Sequence, residues 1–393
     1  MLAGLVALSV AVLGGCAGDA DHTGLDPADL PTIQLEEELR LGVVEGREGE
    51  EFGGIRGLTL TSNDEVWLME IRPPMLRRFA QDGTFLGTSG REGEGPGEFG
   101  ALNAVEPLPD GGVLVLDSRQ GRLSHFDAEG AFVDAWPLPS GIGQRFRVDE
   151  AGETVYVEAR DNEARSQAMR EAAEAGAAGG GAQGQLPEAP IVWIRLGNEM
   201  EVMDTIRTPP AERELGGGMV FSTAAGPVVP GLSERLQVLD RQGRVIHAWN
   251  RSYTLEVEAD GQADTLVQVA APPVLKTPAE RRELEERIGE DPRVDSPPSL
   301  NPEKPILAEL ELDLDDRVWA RLRTEAEEVD GPGFQWQETE VLWHVWNADG
   351  TPVGSVRLDL GVRWMEARGE YLWVTAQGEG GEQQIIQYRM VEG

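Results

Sequence analysis

Short apolar runs with a bulky centre recur along the chain: Val66-Trp67-Leu68, Val113-Leu114-Val115, Val155-Tyr156-Val157, Val318-Trp319-Ala320 and Leu372-Trp373-Val374. Runs of this length between turn residues predict β-strands. A second apolar run ends in a tight turn before another strand, at Asp82-Gly83, Glu129-Gly130, Gln242-Gly243 and Asp349-Gly350, with a weaker copy at Leu196-Gly197-Asn198. Glycine there supplies the positive φ that a tight hairpin demands. Each unit therefore reads as strand A, strand B, strand C, a tight turn and strand D.

The units repeat. Val66 matches Val113, Leu76 matches Leu123, Phe79 matches Phe126, Gly83 matches Gly130 and Phe85 matches Phe132, every pair at one offset, 113 − 66 = 47. Four antiparallel strands at this period describe a propeller blade. The expected fold is all-β, a six-bladed β-propeller, with blades at about 55–88, 101–138, 144–207, 218–252, 304–358 and 360–390. The last blade lacks a strand D. Thr32 to Gly42 alternates Ile33, Leu35, Leu39 and Leu41 with polar residues, the period of a half-buried strand. Pairing it with the C-terminal blade closes the ring and covers an exposed edge.

The joints between blades carry their own signature. GREGEGPGEFG, Gly90 to Gly100, resembles a phosphate-binding loop but is rich in acids and has no lysine and no helix behind it. It reads as a linker in which Arg91, Gly95, Pro96, Gly97, Glu98 and Phe99 make the step into the next blade, with Phe99 wedged into the inter-blade core. EGREGEEFGG, Glu45 to Gly54, is a shorter copy.

Composition restricts partners. The chain has 393 residues with 34 basic and 70 acidic side chains, a net charge of −36. Such a polyanion repels nucleic acid and anionic lipid headgroups. Cys16 is the one cysteine, which excludes an intrachain disulfide. It follows an apolar run, Leu2 to Leu13, and the small residues Gly14 and Gly15. This resembles a bacterial lipoprotein signal, with residues 1–15 removed, Cys16 acylated and 16–31 a polar tether. The repeats, the linker and this lipobox together resemble bacterial six-bladed β-propeller lipoproteins with NHL-like repeats, a functionally uncharacterised group. The resemblance implies a single propeller over 32–393, in the cell envelope, facing the periplasm or the cell surface and held to the membrane only by lipid.

Long segments at 159–190, 252–303 and 323–339 are expected as insertions. As B–C or D–A connections they fall on one face, which marks it as the working face. Two are acidic: Ser252 to Glu303 holds 12 acids and 5 bases, Arg323 to Thr339 holds 5 acids and 1 base. Thr277 to Asp291 predicts a short helix capped by Thr277.

The chemistry is sparse. His125, His247 and His344 belong to strand C or D of different blades, and no two share a metal-ligand spacing. Glu70 and Asp117, also 117 − 70 = 47 apart, close strand B on the working face, with Asn103 and Glu106 nearby. Acids at matched positions around a channel suit Ca²⁺; alternatively Asp117 caps its own turn. No GxSxG nucleophile motif occurs. The expectation is a monomeric binding or scaffold module, without a required cofactor, that recognises an envelope protein, peptide or glycan on its acidic face. The alternative is a calcium-dependent hydrolase or lactonase with carboxylates at the channel mouth.

Overall fold

The structure, a computed structural model, describes residues 23–42, 49–139, 142–174, 190–207, 221–223, 226–228, 235–259, 261–289, 302–328 and 336–393. Among them, strands assemble into antiparallel units of four that follow one another along the chain. Sheet I is Ile55–Leu60, Val66–Ile71, Pro74–Phe79 and Phe85–Ser89. Sheet II is Leu102–Pro107, Val113–Asp117, Arg122–Phe126 and Phe132–Pro137. Sheet III is Ile142–Val148, Val155–Arg160, Ile191–Leu196 and Val202–Arg207. Sheet IV is Arg235–Leu239, Val245–Trp249, Thr254–Ala259 and Gln262–Val269. Sheet V is Leu307–Leu312, Val318–Leu322, Val341–Trp346 and Pro352–Leu358. Sheet VI takes Arg363–Arg368, Tyr371–Gln377 and Gln383–Glu392 from the C-terminal region and Thr32–Leu41 as its fourth strand.

Thr32–Leu41 runs antiparallel to Gln383–Glu392, with Ile33 opposite Glu392 and Leu41 opposite Ile385. A short parallel contact, Thr32 to Ser355 and Ile33 to Val356, also ties it to sheet V. The side chains alternate as the sequence pattern requires: Leu41 is buried and Arg40 half-exposed, paired with Glu37.

Hydrophobic cores form between successive sheets. Trp67, Met69 and Leu76 of sheet I meet Leu102, Val113 and Phe126 of sheet II across Phe99. Leu114 and Leu123 of sheet II meet Phe146 and Val157 of sheet III. Tyr156 and Trp193 of sheet III pack on Leu239 and Val245 of sheet IV. Ile246 and Leu255 of sheet IV join Leu310 and Trp346 of sheet V. Trp319 and Trp343 of sheet V meet Ala367 and Leu372 of sheet VI. Finally, Leu41, Trp373 and Ile385 of sheet VI pack on Leu58, Val66 and Phe79 of sheet I. Trp67, Trp193, Trp319, Trp346 and Trp373 are almost wholly buried. At about 25 cal/mol per Å² and about 200 Å² of ring surface, each contributes roughly 5 kcal/mol before entropy is counted.

Sheet IV departs from the expected unit. Gln242-Gly243 joins its first and second strands, not its third and fourth, and His247 lies in the second strand. Thr254–Ala259 and Gln262–Val269 are its third and fourth strands, so the segment beginning at Ser252 is partly sheet and the true connection starts after Val269. Leu255, Val267 and Val269 are buried, and that apolar alternation outweighs the acids between them. Residues 23–30, expected in a polar tether, belong to the folded part. Thr23–Leu25 pairs in parallel with the edge strand of sheet IV, and Leu30 is buried in the adjoining core.

Candidate functional site

Two of the carboxylates singled out in the sequence hold the joints. Asp117 ends the second strand of sheet II and is fully buried. Its Oδ2 accepts the Gly100 N–H at 2.6 Å, and its Oδ1 accepts the N–H groups of Ala101, Arg119 and Gln120 at 3.0 Å. One side chain thus ties the incoming linker to the turn beside it. Glu70 does the same work in sheet I. It accepts the Gly53 N–H and pairs with Arg77 Nε at 2.5 Å. Gly53 and Gly100 are themselves one repeat apart, so the equivalence is structural. In the Gly90–Gly100 linker, Arg91–Glu92 and Glu98–Phe99 form a small parallel pair. Glu98 binds Arg91 and caps the Gly95 N–H, while Arg122 holds the carbonyls of Gly95 and Glu98. Phe99 is buried, and Gly90, at φ 71°, lies against its ring.

Asn103 accepts the Ser118 N–H at 3.1 Å, beside the Asp117 turn, and both Asn103 and Glu106 also face inward. They line an interior chamber of about 410 Å³ whose wall takes residues from the first strand of every sheet: Gly57, Glu106, Arg147, Leu239, Glu311 and Glu366 are examples. A smaller cavity of about 170 Å³ opens beyond it, lined by the ends of the same strands and the turns after them, including Ser62, Pro109, Glu150, Arg241, Asp315 and Arg368.

The chamber wall is charged. Arg147 is nearly buried; its Nη1 donates to Glu106 Oε1 at 3.1 Å and its Nη2 to the Leu312 carbonyl. Burial alone pulls the Arg147 guanidinium down, but Glu106, Glu366, Asp316 and Glu311 outweigh it and hold the group firmly protonated. Glu106 Oε2 is buried without a hydrogen-bond partner and lies 4.0 Å from Arg241 Nη2, itself in the same condition. Glu366 is buried, and that burial pushes its carboxyl well above the usual carboxylate range; Arg147 pulls it back, while Glu106 and Asp313 push it further. Burial also raises Glu311, which Arg145 approaches only to 3.8 Å. A perturbed acid inside a cavity is a physical mark of a binding or reacting site.

The second-to-third and fourth-to-first connections of an antiparallel unit share one end of the sheet, and the insertions lie there. Between sheets IV and V stands α2 (Pro278–Gly289), and within sheet III stands α1 (Asn162–Glu174). Thr277 and Glu280 form a reciprocal cap on α2. Glu280 is buried against Lys304 at 3.4 Å, whose Nζ also reaches the Thr324 carbonyl. Asp161 caps α1 and pairs with Arg207. Ala326–Glu328 and Trp336–Glu338 pair antiparallel as a small two-stranded sheet beside sheet V, fixed by Glu338 on Arg321 and Arg323.

His125 lies in the third strand of sheet II and stacks on Trp136. His344, in the third strand of sheet V, meets the Tyr253 hydroxyl at 3.1 Å, and that hydroxyl also accepts from Trp346 Nε1. Among the described residues no group of three or more His, Cys, Asp or Glu is placed to hold a metal ion, and no helix is long and apolar enough to cross a membrane. Cys16 lies outside the described residues.

Neither a family model nor a curated protein matches the chain. Solved structures do. One is a Bacteroides fragilis protein assigned as exported, at 9% identity and TM-score 0.51, covering 94% of this chain and 99% of that one. Another is a member of the DUF4221 family from Bacteroides vulgatus, at 10% identity and TM-score 0.51, covering 92% and 99%. Virginiamycin B lyase from Staphylococcus aureus aligns more loosely, at 10% identity and TM-score 0.42 over 91% and 100%. At these identities the likeness concerns fold alone. Four-stranded antiparallel sheets packed face to face in chain order are a fold of the β-propeller type.

Arg145, Arg147, Glu311 and Glu366 were not singled out in the sequence. No local spacing joins them, because they meet across first strands from sheets III, V and VI.

Proposed function

We propose that the chain is a lipid-anchored, extracytoplasmic six-bladed β-propeller that recognises a protein, peptide or glycan of the cell envelope on its insertion-bearing end. Six shared cores, the last between sheets VI and I, support the blade count and a closed ring. The observation that carries the binding role is the anchoring of the insertions. The buried Glu280–Lys304 pair, the Asp161–Arg207 pair and the Glu338 clamp fasten separate connections on one end into a firm acidic platform. A rigid scaffold that presents ordered loops suits recognition. A calcium-dependent hydrolase would need free oxygen ligands, and Glu70 and Asp117 already give theirs to Arg77 and to the linker amides.

The test is crosslinking and capture from native envelopes. The full chain should enrich a discrete partner, and reversing the exposed acids Glu286, Glu327 and Glu328 to lysine should lower capture about tenfold. Capture unchanged by that reversal overturns the placement on this face. Cys16→Ala should release the protein from the membrane fraction; retention there overturns the lipid anchor.

A further inference from the structure

We propose that the interior chamber binds a small organic carboxylate, its head held by Arg145, Glu366 and the indole N–H groups of Trp193 and Trp364, its apolar tail lying against Leu58 and Met69. Its wall runs along the first strands, and what it takes is set by the groups inside it rather than by what docks on the insertion-bearing end.

The argument starts from an imbalance of hydrogen-bonding groups. Buried polar atoms are almost always paired, so an unpaired set reports the shape of what is missing. Around the chamber the unpaired groups are mostly donors. Trp193 Nε1 and Trp364 Nε1 are buried and meet no acceptor among the described residues. Arg241 Nε and Nη2, at the boundary with the outer cavity, are in the same state. Arg145 is about half exposed on the chamber wall, with a side-chain accessibility of 48%, and its distance of 3.8 Å to Glu311 is too long for a hydrogen bond. Against these stands one orphan acceptor, Glu106 Oε2. A donor surplus calls for an acceptor-rich ligand.

Charge agrees. Arg56, Arg145 and Arg147 line the chamber with Glu106, Glu311 and Glu366. The groups bearing on Glu366 are Arg147, Glu106 and Asp313, and its own Oε1 already accepts the Ala367 N–H. With Glu366 protonated, Arg145 and Arg147 face Glu106 and Glu311 with no third carboxylate charge on the wall, and Glu366 gains an O–H donor. An arriving carboxylate accepts from Arg145 and from Glu366 without displacing the Arg147–Glu106 pair. A cation would have to expel the Glu366 proton and approach three arginines. The volume of about 410 Å³ and the apolar stretch of wall at Leu58 and Met69 admit a short hydrocarbon body.

The experiment is calorimetric titration of the full chain with hexanoate, and with hexylammonium as the charge-reversed ligand of the same length, with Trp fluorescence as a second readout. Hexanoate should bind one to one, at least about tenfold more tightly than hexylammonium. Its affinity should fall as pH rises and Glu366 ionises. Glu366→Gln, which keeps a donor, should retain binding and flatten that pH profile. Arg145→Ala should weaken binding at least about tenfold while leaving the unfolding curve in place. Three results would overturn the proposal: no saturation by about 10 mM hexanoate, equal or tighter binding of hexylammonium or Ca²⁺, or a pH profile that Glu366→Gln leaves unchanged. Partner capture by the insertion-bearing end is read separately, so failure of either reading leaves the other measurable.

Discussion

Asp117 separates the structural role of the repeat-matched acids from a cation-binding one. Replacing it with alanine removes the acceptor for four backbone N–H groups. Two of them, on Gly100 and Ala101, are half-buried in the linker, where losing a charge-assisted bond costs about 1.5 kcal/mol each. The two in the turn, on Arg119 and Gln120, share the single oxygen Oδ1 with Ala101, so about 0.5 kcal/mol is lost for each. Asp117→Ala should therefore destabilise by about 4 kcal/mol. Asp117→Asn keeps a carbonyl in place of Oδ1 but turns an amide toward the Gly100 N–H, and should cost about 2 kcal/mol. Urea unfolding followed by Trp fluorescence, with and without Ca²⁺, measures both. A loss below about 1 kcal/mol for Asp117→Ala refutes the reasoning. So does Ca²⁺ that stabilises the wild type and not the variant, since that would make the carboxylate a ligand rather than a tie.

Three further outcomes follow from the geometry. Burial, with a smaller push from Arg357, lowers His344 to about 4, against an ordinary value of 6.5. A depressed folded-state value supplies stability that is present above 6.5 and lost as pH falls toward 4, about 3 kcal/mol in all. Urea unfolding from pH 7 to 4 should show this slope, and His344→Gln should reduce it; an identical slope in the variant contradicts the assignment. Lys304→Met strands the buried Glu280 carboxylate, and should cost about 3 kcal/mol and expose Arg281 and Arg282 of α2 to trypsin. Gly90→Ala places a methyl against the Phe99 ring at a positive φ, and should cost at least about 2 kcal/mol by thermal unfolding, more than Gly121→Ala, where space is open.

The repeat made most of the strand order legible, because bulky centres and turn glycines recur from unit to unit, at one offset of 47 between sheets I and II. Sheet IV was harder for a physical reason. Gly243 has φ 78° in a first-to-second turn, and Gly83 has φ 83° in a third-to-fourth turn, so the local requirement for glycine is the same in both. The alternation of Leu255, Val257, Val267 and Val269 was present in the sequence but lay in a stretch whose acids suggested a surface insertion. The pairing of Glu70 with Asp117 was visible as an equivalence. Its meaning was not, since a carboxylate that caps amides and one that binds a cation have the same sequence signature. The chamber was least legible. Arg147 and Glu106 are 41 positions apart, and Arg147 reaches the Leu312 carbonyl across 165. Such meetings exist only after separate sheets have packed.

The mixed origin of sheet VI has a consequence in time. Glu36 and Arg389 bond across 353 positions, and every pairing of Thr32–Leu41 with Gln383–Glu392 spans a similar distance. As the chain emerges N-terminus first, from the ribosome or from an export channel, sheets I to V can assemble in turn, whereas Thr32–Leu41 waits for a partner that has not yet emerged. Until then Leu39 and Leu41 face an unfinished neighbour, and the Phe79 side of sheet I has no Trp373 to pack on. The last contact made is therefore the one that joins both arms of the chain, and a chaperone guarding this strand would act at the step on which native yield depends.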